Sequence, residues 1–83
     1  MPLYMDIHKG LEGLTPEAVE KAHGRDLAVQ ERHGVNLRAY WYNEEDGTVF
    51  CLAEAPSREA FEAVHREAND MVADEIIQVS EGT

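Results

Sequence analysis

The stretch that decides the fold is TPEAVEKAHGRD, residues 15–26, because most of its pattern returns as SREAFEAVHREA at residues 57–68. A hydroxyl residue opens each copy, Thr15 and Ser57. Then Glu17 and Glu59, Ala18 and Ala60, Val19 and Phe61, Glu20 and Glu62, and His23 and His65 coincide at one constant offset. Self-similarity at a fixed period marks a repeated supersecondary unit. Each half of the chain therefore carries one helix with a histidine in its third turn.

Outward from the first copy, Leu3, Met5 and Ile7 alternate with Tyr4, Asp6 and His8, the period of a half-buried strand. A loop punctuated by Gly10 and Gly13 leads to Thr15 as N-cap and Pro16 at the first helical position, where the missing N–H costs nothing. This helix is expected to run to about His33 and to stop at Gly34. From Asn36 to Asn43, Leu37, Ala39 and Trp41 alternate with Arg38, Tyr40 and Tyr42, a second strand. Glu44-Glu45-Asp46-Gly47 reads as a turn, since Asp-Gly tolerates positive φ, and Thr48 to Glu54 is the returning strand. Pro56 and Ser57 lead into the second helix, with Phe61, Val64, Ala68, Met71 and Val72 as its apolar stripe, and Glu75 to Val79 closes as a fourth strand.

Strand, helix, strand, strand, helix, strand is the order of the α+β ferredoxin-like split βαβ plan (βαββαβ), an antiparallel sheet with both helices on one face. It is expected as a single domain over residues 1–83. With Leu3/Met5/Ile7, Leu37/Ala39/Trp41 and Val49/Cys51/Ala53 turned to the helices, the other face would carry Tyr4, Asp6, His8, Arg38, Tyr40, Tyr42, Phe50, Leu52 and Glu54. Aromatic surface of that extent needs cover. Pairing two sheets across a twofold axis, as in a dimeric α+β barrel, would supply it.

Composition narrows the function. A domain of 83 residues has a marginal core, so association with a second copy, a homodimer, is favoured. With 17 acidic against 7 basic side chains the net charge is −10, which repels nucleic acid and anionic membrane and concentrates cations. No stretch nears the roughly 20 apolar residues that span a bilayer. The single cysteine, Cys51, closes no internal disulfide, and the N-terminus has no signal-peptide pattern, so a reduced cytoplasm is expected.

Four residues are candidate metal ligands. On the first helix Val19, Ala22 and Val29 define an inward arc, yet His23, Asp26, Gln30 and His33 fall within or beside it. His23 and Asp26, three apart on one surface, together offer an imidazole nitrogen and a carboxylate oxygen that divalent metals accept. His65 occupies the equivalent place on the second helix. His8 shares one side of the first strand with Asp6, and the two could chelate or act as an acid–base pair. An ordinary Asp–His hydrogen bond at the core rim accounts for the same residues. Cys51 reads as a small buried hydrophobe on the helix side of its strand. No CxxC, HExxH, P-loop or dinucleotide fingerprint is present.

MDIHKG at 5–10, AHGRDLAVQ at 22–30, VFCLAEAPS at 49–57, AVHREA at 63–68 and ADEI at 73–76 resemble a small bacterial family of nickel-binding proteins, catalogued as a domain of unknown function. The resemblance spans nearly the whole chain. It implies a ferredoxin-like fold, a homodimer with nickel on its surface, and a role in nickel sequestration or detoxification, with His8, His23, Asp26 and His65 at positions the family commonly fills with the same types. Asn69 departs from the family's His-x-x-Ala-His pattern, and an asparagine does not replace imidazole as a ligand. The alternative expectation is a dimeric α+β barrel enzyme or small-molecule binder, its pocket on the open sheet face around His8, Asp6 and Tyr40.

Overall fold

A computed structural model of the chain describes residues 1–82; Thr83, the last residue of the expected domain, lies outside the described residues. The elements are β1 (Leu3–His8), α1 (Pro16–Val29), β2 (Asn36–Asn43), β3 (Thr48–Glu54), α2 (Arg58–Asn69) and β4 (Glu75–Val79). The four strands form one antiparallel sheet in the order β2-β3-β1-β4. This is the ferredoxin-like arrangement expected from the repeat.

The two helices begin in the same way. Thr15 Oγ1 accepts from the N–H of Ala18 and Ser57 Oγ from that of Ala60, both at 3.1 Å, each satisfying an otherwise unpaired donor of the first turn. Their ends differ. The stretch expected as helix to His33 changes after Val29 into a 3₁₀ turn, Gln30–His33, and Gly34 at φ 68° closes it. α2 ends at Asn69 and is capped by Asp70, a non-glycine residue in left-handed conformation at φ 51°. Met71 and Val72 thus fall beyond the helix and are exposed, so the apolar stripe of α2 is shorter than its sequence pattern suggested. Its buried face is Phe61, Val64 and His65.

Register corrects the facing of two strands. Residues directly opposite in an antiparallel pair share a face. Tyr40 lies opposite Cys51, Cys51 opposite Asp6, and Asp6 opposite Ile76, so one row crosses all four strands on the helix side. β1 therefore turns Tyr4, Asp6 and His8 inward, where the sequence had placed Leu3, Met5 and Ile7. In β2 a bulge between Leu37 and Ala39 breaks the alternation. Leu37 stays inward, but Tyr40 and Tyr42 replace Ala39 and Trp41 on the helix side. β3 faces as expected, with Val49, Cys51 and Ala53 buried.

The open face consequently keeps the expected Phe50 and Leu52 but carries mainly apolar neighbours in place of Tyr4, Asp6, His8, Tyr40 and Tyr42. Trp41, Phe50 and Ile7 form one row, and Ala39, Leu52, Met5 and Ile77 the next. Trp41 and Ile77 remain about half exposed, at 50% and 47%.

The loop from β1 to α1 is tied to the β2–β3 turn. The N–H of Leu11 donates to the Gly47 carbonyl at 2.9 Å. A side chain at Gly47 would bring its Cβ within 2.4 Å of the Leu11 carbonyl oxygen, and φ is 65° there, so this position needs glycine on both counts. The tie holds Leu11 and Leu14 against the core.

Candidate metal centre

One of the three largest fully buried side chains is a carboxylate, Asp6. A buried ion costs several kcal/mol unless it is paired and hydrogen-bonded. Four elements supply the partners. From β3, the N–H of Cys51 donates to Asp6 Oδ1 at 3.1 Å. From β1 itself, His8 Nε2 lies 3.2 Å from Oδ2. From α2, His65 Nε2 comes to 2.5 Å of the same oxygen. From α1, Asp26 Oδ2 holds the other ring nitrogen of His65, Nδ1, at 3.1 Å. Asp6, His8, Asp26 and His65 are all at least 96% buried, with relative exposures of 0%, 4%, 4% and 3%.

The charges set one another. Burial pushes the Asp6 carboxyl up, but the contacts of His65 and His8 and their charge outweigh it and hold the group below its ordinary range. For His65, burial works to lower the pKa. Asp26, then Asp6, outweigh it and raise the imidazole to about 12. His65 is thus an imidazolium between two carboxylates in the metal-free protein. Desolvation raises the Cys51 thiol to about 11, so it is protonated at neutral pH.

Two imidazole nitrogens are left over. Among the described residues, His8 Nδ1 and His65 Nε2 are buried without an aligned hydrogen-bond partner. The Asp6 oxygen beside His65 Nε2 is close but lies off the ring N–H axis, which makes it a charge contact rather than a formed bond. Orphaned buried polar atoms are rare in a settled core. One oxygen of Asp6, one nitrogen each of His8 and His65, and the sulfur of Cys51 lie within 4.8 Å of one another. Two imidazoles, a thiol and a carboxylate are a donor set that suits nickel, zinc, cobalt or copper. The residues fit a metal ion that takes the place of the protons now held between them.

Of the four sequence candidates, the fold brings His8 and His65 into this group and sets Asp26 behind it. His23 stands apart, its ring against Tyr40 with centroids 4.5 Å apart. His33 is paired at the surface with Glu67 at 2.8 Å. Asn69 reaches back from the end of α2, donating to Asp26 Oδ1 at 2.9 Å and to the Ala22 carbonyl at 3.1 Å. For Cys51 the sequence favours packing over a role as thiolate ligand, and the fold places it in the donor group. Its placement opposite Asp6 is a property of strand register, and a lone cysteine in sequence carries no sign of it. Asp6, His8 and Tyr40 were expected around an open-face pocket; instead they face the helices, where His8 and Tyr40 line a cavity of about 260 Å³ under α1.

The molecule is therefore a ferredoxin-like α+β protein with a buried nitrogen, sulfur and oxygen cluster able to hold a metal. Residues 4–79 match the model of the family described as nickel responsive protein SCO4226-like, and the chain belongs to that family. The crystal structure of SCO4226 from Streptomyces coelicolor A3(2) superimposes with a TM-score of 0.91 at 38% identity, covering 98% of this chain and 99% of that one. No curated protein matches the chain. No helix among the described residues is long and apolar enough to cross a membrane.

Proposed function

We propose that the protein binds Ni²⁺, or a similar first-row divalent ion, through Asp6, His8, Cys51 and His65, and that it sequesters the ion. The convergence of four buried donors within 4.8 Å carries this reading, and the nickel-responsive family to which the chain belongs supports it. Asp26 serves as the outer partner of His65, fixing the ring as carboxylates commonly fix metal-bound histidines. His23 contributes from outside the cluster, as part of the cavity wall with Tyr40. A bound ion would supply positive charge in place of the displaced protons. Donors this deeply buried suit holding an ion rather than turning over a substrate, and a free thiol among them suits a reducing cytoplasm.

The working unit is a homodimer. Its support is the apolar open face around Met5, Trp41, Leu52 and Ile77, a surface that a small domain covers most simply with a second copy. Calorimetric titration of metal-free protein with Ni²⁺ tests the site. Binding should be lost or cut at least tenfold in His8→Ala and in His65→Ala, and kept in His33→Ala, whose ring is on the surface. Unchanged affinity in both core variants would remove the proposed ligands.

A further inference from the structure

Donors that are at least 93% buried can take up an ion only if the fold gives it a way in. Two sides of the cluster are shut. Asp6, His8 and Cys51 sit on β1 and β3, which pair residue for residue along the whole of β1, so nothing passes through the sheet. Phe61, fully buried, lies against the His65 ring with centroids 5.1 Å apart and shuts a second side. A third side is hollow. The cavity under α1 has buried His8, Cys51 and His65 at its inner end and exposed Glu12, Gly13 and Met71 at its outer one.

At about 260 Å³ this cavity holds several waters, at ~30 Å³ each, so an ion can move down it with much of its hydration shell in place. Leu14, Ala18, Val19, Ala22 and Val49 make the wall mostly apolar, and the His23–Tyr40 ring pair adds a polar stretch. Three polar lining residues form a chain. Arg25 of α1 donates through Nε to Asn69 Oδ1, at the end of α2, at 2.6 Å, and Asn69 Nδ2 donates to Asp26 Oδ1 at 2.9 Å. The first of these contacts ties the two helices together at the cavity edge, and its guanidinium is the one permanent cation among the described lining residues. The protein's net charge of −10 draws divalent ions in, and Arg25 is the charge on this side that opposes them.

We infer that this cavity is the route by which a metal ion reaches and leaves the cluster, and that the Arg25–Asn69 bridge is the latch on it. The inference rests on the reading of Asp6, His8, Cys51 and His65 as the metal site and adds the control of exchange. A barrier on a route slows passage both ways, so it changes the rates of uptake and release by one factor and leaves their ratio, Kd, where it was. Damage to a donor acts differently, raising Kd through faster release. Entry by local unfolding would be a third behaviour, with uptake following the protein's stability.

The test mixes metal-free full-length protein with Ni²⁺ in a stopped-flow instrument, with an indicator dye reporting the free ion. Release is timed after excess EDTA, and Kd is measured by calorimetric titration. Ala22→Phe and the milder Ala18→Leu narrow the cavity without touching a donor, and Ala18→Leu carries the test if the larger change disturbs folding. Each should slow uptake and release at least tenfold with Kd nearly unchanged, and Arg25→Ala should speed both at least threefold. Wild-type rates in the narrowed variants, or uptake that accelerates with sub-denaturing urea, would overturn the route while the metal site stands. Faster release with unchanged uptake in Arg25→Ala would make Arg25 a support of Asn69 and overturn the latch. No Ni²⁺ uptake by the wild-type protein would overturn the metal reading and this inference together.

Discussion

Asp6 and His65 meet across the core, Oδ2 to Nε2 at 2.5 Å, one from the first strand and the other from the second helix, and Asp26 grips the far side of the same ring at 3.1 Å. Two carboxylates from the first half of the repeat thus hold one imidazolium from the second. The arrangement governs how the metal-free protein responds to pH, to substitution and to cations.

Stability should fall in both directions from mildly acid pH. His65 is raised from 6.5 to about 12 in the folded state, so its contribution is complete below pH 6.5 and is lost as pH rises from there through about 12. Asp6 is lowered from 3.8, so its contribution is complete above that value and is lost as pH falls through the folded one. Urea melts of metal-free protein should give a higher midpoint at pH 6 than at pH 9. In His65→Gln that alkaline slope should largely disappear. A slope of the same size in the variant would assign the effect to other groups.

Removing one member of the buried group should be more damaging than its size implies. Asp6→Ala leaves an imidazolium with Asp26 alone and an unpaired Cys51 N–H, and a broken buried ion pair costs about 3–5 kcal/mol. Asp6→Asn, which keeps an acceptor for that N–H, should be the milder change. Denaturant unfolding of the metal-free variants at pH 6 checks both the magnitude and the order.

Metal binding should release protons. The Cys51 thiol, at about 11, and the His65 imidazolium are both protonated at neutral pH, and each must lose its proton to act as a donor. Ni²⁺ affinity should therefore rise with pH between 6 and 9, and the calorimetric heat should depend on the buffer's ionisation enthalpy. Saturating metal should also raise the melting temperature, a gain of ~2.7 kcal/mol at one hundred times Kd that chelation reverses. Buffer-independent heats would mean that neither protonated group is a ligand.

Asn69 should act on the site through Asp26. It holds Asp26 Oδ1 at 2.9 Å, while Asp26 Oδ2 holds His65. Asn69→Ala frees the carboxylate, and loss of such outer partners typically lowers metal affinity by about 10–100-fold. A Ni²⁺ titration measures the loss. A shift of the His65 Nδ1 proton resonance in metal-free Asn69→Ala would show that the route runs through the ring.

Charge on the open sheet face should abolish self-association. Met5 and Ile77 are opposite one another there, beside Leu52. Met5→Lys combined with Ile77→Lys should convert a sedimenting dimer to a monomer without changing the far-ultraviolet circular dichroism. A wild-type protein that sediments as a monomer would remove the dimer from the reading.

Much of the architecture was legible because its signals are local. Thr15 and Ser57 cap helices through bonds to residues three positions on, Gly34 and Gly47 supply positive φ, and strand alternation shows within six to eight residues. Alternation marks a strand without saying which side is buried, however. Leu3, Met5 and Ile7 look like core, and they line the open face because Asp6 and His8 have partners waiting inside. The bulge at Arg38 reversed the second strand by the same kind of non-local event. The repeat predicted the two helices correctly but overstated their likeness, for His65 is buried between carboxylates while His23 lies tilted against Tyr40 at the cavity wall.

What the chain determines by itself is the order and type of its elements, its acidity and the residue types available for binding, since these depend on neighbours in sequence. Which of those residues meet was decided by tertiary structure alone. Asp6, Cys51, His65 and Asp26 come from four different elements, and only strand register and the seating of two helices on one face bring them together. A carboxylate can be ionised, and an imidazole protonated, in an apolar interior only when the opposite charge is delivered from elsewhere in the fold.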